Sequence, residues 1–148
     1  MTLTRMNAAL LRTVLALAAL LCAFNAAHAA RPSVPMDSFV GNRIETASGK
    51  PPSPEQIQVA LKRAGMVRDW VVTPNADGTY RAHLTIRKHT LDVQIRVADG
   101  TFDITYLAST NLGYGPNRED AARPLIHPAY NTWVKNLVGD IRREFALL

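Results

Sequence analysis

Three alternating segments joined by short turns constrain this chain more than any other feature. Tyr80, Ala82, Leu84 and Ile86 alternate with Arg81, His83, Thr85 and Arg87; Leu91, Val93, Ile95 and Val97 alternate with Asp92, Gln94 and Arg96. Phe102, Ile104 and Tyr106 then alternate with Thr101, Asp103 and Thr105. A period of two sends successive side chains to opposite faces of a strand, so each segment has one apolar and one polar face. Segments of this kind pair as an antiparallel meander with one face on a core and the other in water. Asp99-Gly100 separates the last two segments, and that dipeptide suits a type I′ turn, whose central residues both take positive φ. A tight turn there sets Ala98 opposite Thr101, Arg96 opposite Asp103 and Ile95 opposite Ile104. The same logic makes Lys88-His89 the loop of the preceding hairpin, pairing Ile86 with Leu91 and Leu84 with Val93. Trp70 to Thr73 reads as a fourth strand, joined to Tyr80 through the turn-rich run Pro74-Asn75-Ala76-Asp77-Gly78, with Trp70 and Val72 toward the core.

Helical signals flank the meander. Ser53 can cap a helix through its hydroxyl, Pro54 suits the first helical position, and Gln56 completes a capping box. Ile57, Ala60, Leu61 and Ala64 fall on one face, and Gly65 suits the left-handed residue that ends many helices, so the spacing predicts a helix over 54–64. At the other end, Tyr130, Trp133, Val134, Leu137, Ile141 and Phe145 recur at helical spacing within 128–148. Helix, roughly four antiparallel strands, C-terminal helix is the order of a two-layer α+β sandwich with both helices on the apolar face of the sheet.

The N-terminus reads as an export signal. Arg5 and Arg12 give a basic start, Val14 to Phe24 form an unbroken apolar run, and Ala27-His28-Ala29 offers a cleavage site. The apolar run is well short of the roughly 20 residues that span a bilayer as a helix. These features predict a signal peptide over 1–29 and no integral membrane span after cleavage. The single cysteine, Cys22, follows Leu21, where lipoprotein processing requires a small residue, so lipid anchoring at Cys22 is not expected. Residues 30–52 hold Pro32, Pro35, Gly41, Gly49, Pro51 and Pro52 and read as a flexible leader and linker with a short extended piece at 38–44; 53–148 reads as one domain. The formal net charge of +5 comes from charges scattered along the chain without a run, which argues against a nucleic-acid partner.

The nearest approach to a chemical signature is Ile126-His127-Pro128-Ala129-Tyr130-Asn131, where a long loop over 110–123 gives way to the last helix. His127 has the chemistry of a proton shuttle near neutral pH, with Tyr130 and Asn131 as hydrogen-bonding neighbours for a substrate. The alternative is that His127 caps the helix while Tyr130 and Trp133 fill the core. Asn111 to Tyr114, an exposed loop run with an aromatic, is the stronger contact candidate, so the candidate binding residues are Asn111, Tyr114, His127, Tyr130 and Asn131. His83 on the polar sheet face and His89 in a turn have no second ligand at metal-binding spacing. The polar face itself, with Arg81, Arg87, Arg96, Asp92 and Asp103, reads either as a recognition surface or as a solvated face with an Arg96–Asp103 pair. No phosphate-loop, dinucleotide, nucleophile-elbow or zinc-protease motif is present, and no cofactor or metal is expected.

The run Tyr106-Leu107-Ala108-Ser109-Thr110-Asn111-Leu112, followed by Ile126-His127-x-x-Tyr130-Asn131-x-Trp133-Val134-x-Asn136-Leu137, resembles a group of small exported proteobacterial proteins of unknown function. Arg87-x-His89 and the stretch from Gly65 to Trp70 share the likeness, which spans roughly 54–145. The resemblance implies a periplasmic or envelope location and a helix–sheet–helix domain. Members are often described as lipoproteins, a pattern from which this chain departs at Leu21. The expectation is a monomeric, non-enzymatic binding or accessory module for an envelope protein or small ligand. The alternatives are an enzyme using His127 as acid or base, and an inhibitor or chaperone-like protein that grips another exported protein.

Overall fold

In a computed structural model, which describes residues 32–148, the alternating segments become the centre of a five-stranded antiparallel sheet. The expected signal peptide over 1–29, Cys22 included, lies outside the described residues. The elements run β1 (Val34–Pro35), β2 (Phe39–Arg43), α1 (Pro54–Met66), β3 (Val71–Pro74), β4 (Tyr80–Ile86), β5 (His89–Ala98), β6 (Thr101–Thr110), β7 (Leu125–Ile126) and α2 (Ala129–Ala146). The large sheet has the order β2-β6-β5-β4-β3, and β1 pairs separately with β7. One apolar core joins Ala60, Leu61 and Ala64 of α1 and Leu137, Ile141 and Phe145 of α2 to the inward residues of β4, β5 and β6. This is the α+β sandwich that the alternation and the flanking helices predict. Among the described residues no helix is long and apolar enough to cross a membrane.

The β5–β6 hairpin turns at Asp99 (φ 50) and Gly100 (φ 70), and its register near the turn is Ala98↔Thr101, Arg96↔Asp103 and Ile95↔Ile104. Further along, Val93 faces Tyr106 while Asp92 faces Ala108, so Leu107 is an extra residue in a bulge. The preceding hairpin differs from expectation. Its loop is Arg87-Lys88, with Arg87 at φ 54, and the pairs are Ile86↔His89, Leu84↔Leu91 and Ala82↔Val93. A slide of two residues keeps every apolar side chain on the core face, so alternation alone does not distinguish the two registers. His89 is thereby drawn out of the turn and into β5.

The capping box at α1 is complete: the Ser53 hydroxyl accepts from the Gln56 amide at 3.3 Å, and the Gln56 side-chain oxygen accepts from the Ser53 amide at 2.8 Å. Gly65, however, does not end the helix in a left-handed conformation. It lies inside α1, and the left-handed residue is Asp69 (φ 61), placed so that Arg68 and Trp70 both donate to the Gly65 carbonyl. Glycine is needed there for space, since a β-carbon would stand 2.7 Å from Val72 Cγ2 and 2.9 Å from the Trp70 carbonyl oxygen.

Much of the segment read as a leader over 30–52 is built into the fold. Its extended piece is β2, an edge strand on β6 with Phe39↔Ile104 and Asn42↔Phe102, and Met36, Phe39 and Ile44 pack against the core. Between Phe39 and Asn42 the register is irregular; Gly41 (φ 67) sits there and donates its amide to Asp103 Oδ1 at 2.6 Å. Met36, Phe39, Val40 and Ile44 follow no regular period, and it is pairing with the distant β6 that makes this segment a strand.

Candidate functional site

The start of β5, the residues after β6 and the N-terminus of α2 meet at one corner. The His127 amide donates to the Leu112 carbonyl at 2.8 Å, which ties the entry of α2 to the loop. His127 Nδ1 accepts from the Ala129 amide at 3.1 Å, a cap on one of the first donors of the helix. In the neutral ring that assigns the proton to Nε2. His89 arrives from the other side: its Nδ1 donates to the Asn111 carbonyl at 2.9 Å, its ring lies 5.8 Å from that of His127, and Trp133 stands edge-on to it at 6.3 Å. Asn111 takes φ 59 and donates its side-chain amide to the Lys88 carbonyl at 2.6 Å, locking the β4–β5 turn to the end of β6.

Of the other candidates from the sequence, Tyr130 and Asn131 point elsewhere. Tyr130 is buried, edge-on to Phe39 at 6.2 Å and to Tyr106 at 6.1 Å, and burial pushes its phenol well above the ordinary tyrosine range. The Asn131 side chain accepts from the Asp37 amide at 3.0 Å and donates to the Pro35 carbonyl at 3.0 Å, so both ends of its amide hold the segment after β1. Asn111 and His127 share the corner, while Tyr130 and Asn131 stabilise the structure beside it.

Tyr114 belongs to a separate feature. Its ring lies flat on Tyr106, with centroids 4.3 Å apart and an interplanar angle of 13°, and it remains half-exposed. The Tyr106 hydroxyl is hydrogen-bonded to Ser109 Oγ at 3.0 Å, so the supporting ring is itself fixed. Gly115 and Leu125 exchange two backbone hydrogen bonds just after Tyr114, and Leu112 is buried just before it. The loop therefore begins with a rigid base that presents one aromatic ring to solvent.

The polar face of the sheet carries a third arrangement. Asp92, whose side chain is only 13% exposed, accepts at the same oxygen from Arg81 Nε and His83 Nδ1, each at 2.8 Å. His83 Nε2 lies 3.0 Å from Thr85 Oγ1. The hydrogen bond from Arg81 chiefly, with help from His83, holds the Asp92 carboxyl below its usual range against the opposing effect of burial. An ionised carboxylate only accepts, so in the neutral ring His83 Nδ1 carries the proton and Nε2 takes the Thr85 hydroxyl hydrogen. The array can hold a proton at a fixed atom. Sequence reasoning missed it because the Lys88-His89 register puts Gln94, not Asp92, opposite His83; Asp103 does lie opposite Arg96 as expected, and its Oδ1 accepts from the Gly41 amide. Among the described residues no three histidine, cysteine, aspartate or glutamate side chains are grouped to hold a metal.

No family model matches the chain, and neither does any curated protein or solved structure. Function is therefore argued from these side chains and their geometry.

Proposed function

We propose that the protein is an exported, non-catalytic binding module of the periplasm or envelope that takes hold of a partner protein through Tyr114 and its loop. One observation carries the reading: Tyr114 is half-exposed yet held flat against Tyr106 at 4.3 Å. A large amphipathic ring already fixed in place loses little conformational freedom on binding, and tyrosine is among the residues that dominate interface energetics. Export is supported by the basic start, the apolar run from Val14 to Phe24 and Ala27-His28-Ala29, and Leu21 favours an unlipidated product. Binding is favoured over proton transfer at His127 because the groups around that ring are engaged in building the fold. His127 Nδ1 caps α2, Tyr130 is buried, and Asn131 clamps residues 35 and 37.

The test is native mass spectrometry of wild type and Tyr114→Ala purified gently from the periplasmic fraction, with circular dichroism to establish equal folding. The wild type carries a discrete protein partner, and Tyr114→Ala weakens that complex by roughly 30-fold or more, as loss of an interface anchor does. A wild type that is always alone removes the binding reading, and a complex indifferent to Tyr114→Ala removes the siting.

A further inference from the structure

A second feature lies at the β5–β6 turn. The residues after β2, the turn that follows them, the first turn of α1 and the Asp99-Gly100 hairpin line a cleft of about 560 Å3. Its apolar lining comes from Ile44, Pro51, Pro52, Ile57 and Val97. Ile44, Ile57 and Val97 pack on the main core but are only partly buried, so apolar surface continuous with the core reaches solvent here. The volume falls within the roughly 300–1,000 Å3 of small-molecule sites, which are typically apolar with a few placed polar groups.

The walls are formed in advance. The Ile44 amide donates to the Gly100 carbonyl at 2.9 Å, fastening the residues after β2 to the hairpin. Thr46 Oγ1 donates to the Lys50 carbonyl at 2.8 Å and the Gly49 amide to the Thr46 carbonyl at 3.1 Å, closing a turn that Pro51 and Pro52 then stiffen. The charged lining is Glu45, Asp99 and Lys50, and among the described residues none of the three forms an ion pair. Two carboxylates against one ammonium leave the lining net negative.

We propose that this cleft binds a single-chain amphiphile with a cationic headgroup, its alkyl chain against Ile44, Ile57 and Val97 and its ammonium beside Glu45 and Asp99. Chain and head make separable demands. Each methylene taken out of water strengthens binding by about three- to fourfold until the cleft is filled. The two carboxylates, solvent-exposed, together favour the cation by roughly 3- to 10-fold.

The experiment is calorimetric titration of the purified protein with octylamine, decylamine and dodecylamine, and with dodecanoate as the anionic counterpart, all below their micellar thresholds. The expected result is saturable one-to-one binding that tightens with chain length, with dodecylamine preferred to dodecanoate. Glu45→Gln/Asp99→Asn removes that preference; Asn at 99 retains the positive-φ turn. Ile57→Ala weakens amine and carboxylate alike, with circular dichroism confirming an unchanged fold. Absence of saturable binding, dodecanoate binding as tightly as the amine, or an affinity unmoved by both sets of substitutions would each overturn the proposal.

Discussion

Replacing Gly65 by alanine tests whether α1 and the start of β3 approach as closely as described. In an open helix interior the change is favourable by about 0.5–1 kcal/mol, because alanine loses less backbone freedom on folding. At Gly65 the new β-carbon would lie 2.7 Å from Val72 Cγ2 and 2.9 Å from the Trp70 carbonyl oxygen. Neither neighbour gives way easily: Val72 is a buried β-branched residue in β3, and the Trp70 carbonyl is backbone. Overpacking of this kind costs about 1–3 kcal/mol, which against that gain leaves a net destabilisation of up to about 2.5 kcal/mol. Gly139 is the internal control, since it lies within α2 and nothing stands within 4 Å of a β-carbon placed there. Gly139→Ala should therefore stabilise by about 0.5–1 kcal/mol. Urea unfolding followed by tryptophan fluorescence measures both variants, and buried Trp70 sits at the contact in question. Opposite signs for the two substitutions support the close approach. If Gly65→Ala is as stable as Gly139→Ala, a β-carbon at 65 fits without the 2.7 Å contact to Val72 and the reason given for glycine fails.

Two further outcomes follow from the charged side chains. Asp140 is 2% exposed and accepts from Arg68 Nε at 2.7 Å and Arg143 Nη1 at 3.1 Å; Arg68→Ala should cost about 1.5–3 kcal/mol in urea unfolding, and Arg143→Ala less, because the shorter bond joins α2 to the turn after α1 while the longer one spans a single helical turn. Asp92 has a folded-state pKa below its unfolded value, so its contribution to stability is present above the usual carboxylate pKa of about 3.9 and is lost as pH falls through the lower folded value. Unfolding midpoints between pH 7 and pH 3 should fall toward acid, and Asp92→Asn should flatten part of that slope. The remainder belongs to groups such as Asp77, held low by the Thr79 hydroxyl and amide, and Glu55, held low by a backbone hydrogen bond and Ser53; an identical slope in Asp92→Asn would refute the assignment.

The sandwich was legible wherever local chemistry and the global fold agree. Asp99-Gly100 demands positive φ at two adjacent residues, and that demand alone sets the register through Ile95↔Ile104. Ser53, Pro54 and Gln56 mark the start of α1 because each answers a specific need of a helix N-terminus. Legibility fails where two solutions satisfy the same local rule. Arg87-Lys88 and Lys88-His89 both close a hairpin with the apolar residues facing inward. What distinguishes the observed turn is that His89 meets Asn111 and His127, residues 22 and more positions away. Gly65 shows the same ambiguity, because glycine serves equally for a left-handed cap and for close packing, and only the path of β3 separates the two.

Tyr114 was legible as an exposed loop aromatic, but its support was not, because that support is drawn from three distant segments. Tyr114 rests on Tyr106 of β6, Tyr106 meets Tyr130 of α2 edge-on, and Tyr130 meets Phe39 of β2. Asn131, one residue beyond Tyr130, pins the chain on either side of Met36 and so fixes the approach to Phe39. A domain drawn from 53 to 148, as composition suggests, would strip β2 from the edge of β6 and uncover Tyr130. The exposed ring is thus one end of a chain of ring contacts that passes through buried Tyr130 and ends at the partly buried Phe39, in the segment that looks most like a linker. Phe39 touches Tyr114 only through Tyr130 and Tyr106, so loss of β2 would act on the exposed ring through those two contacts.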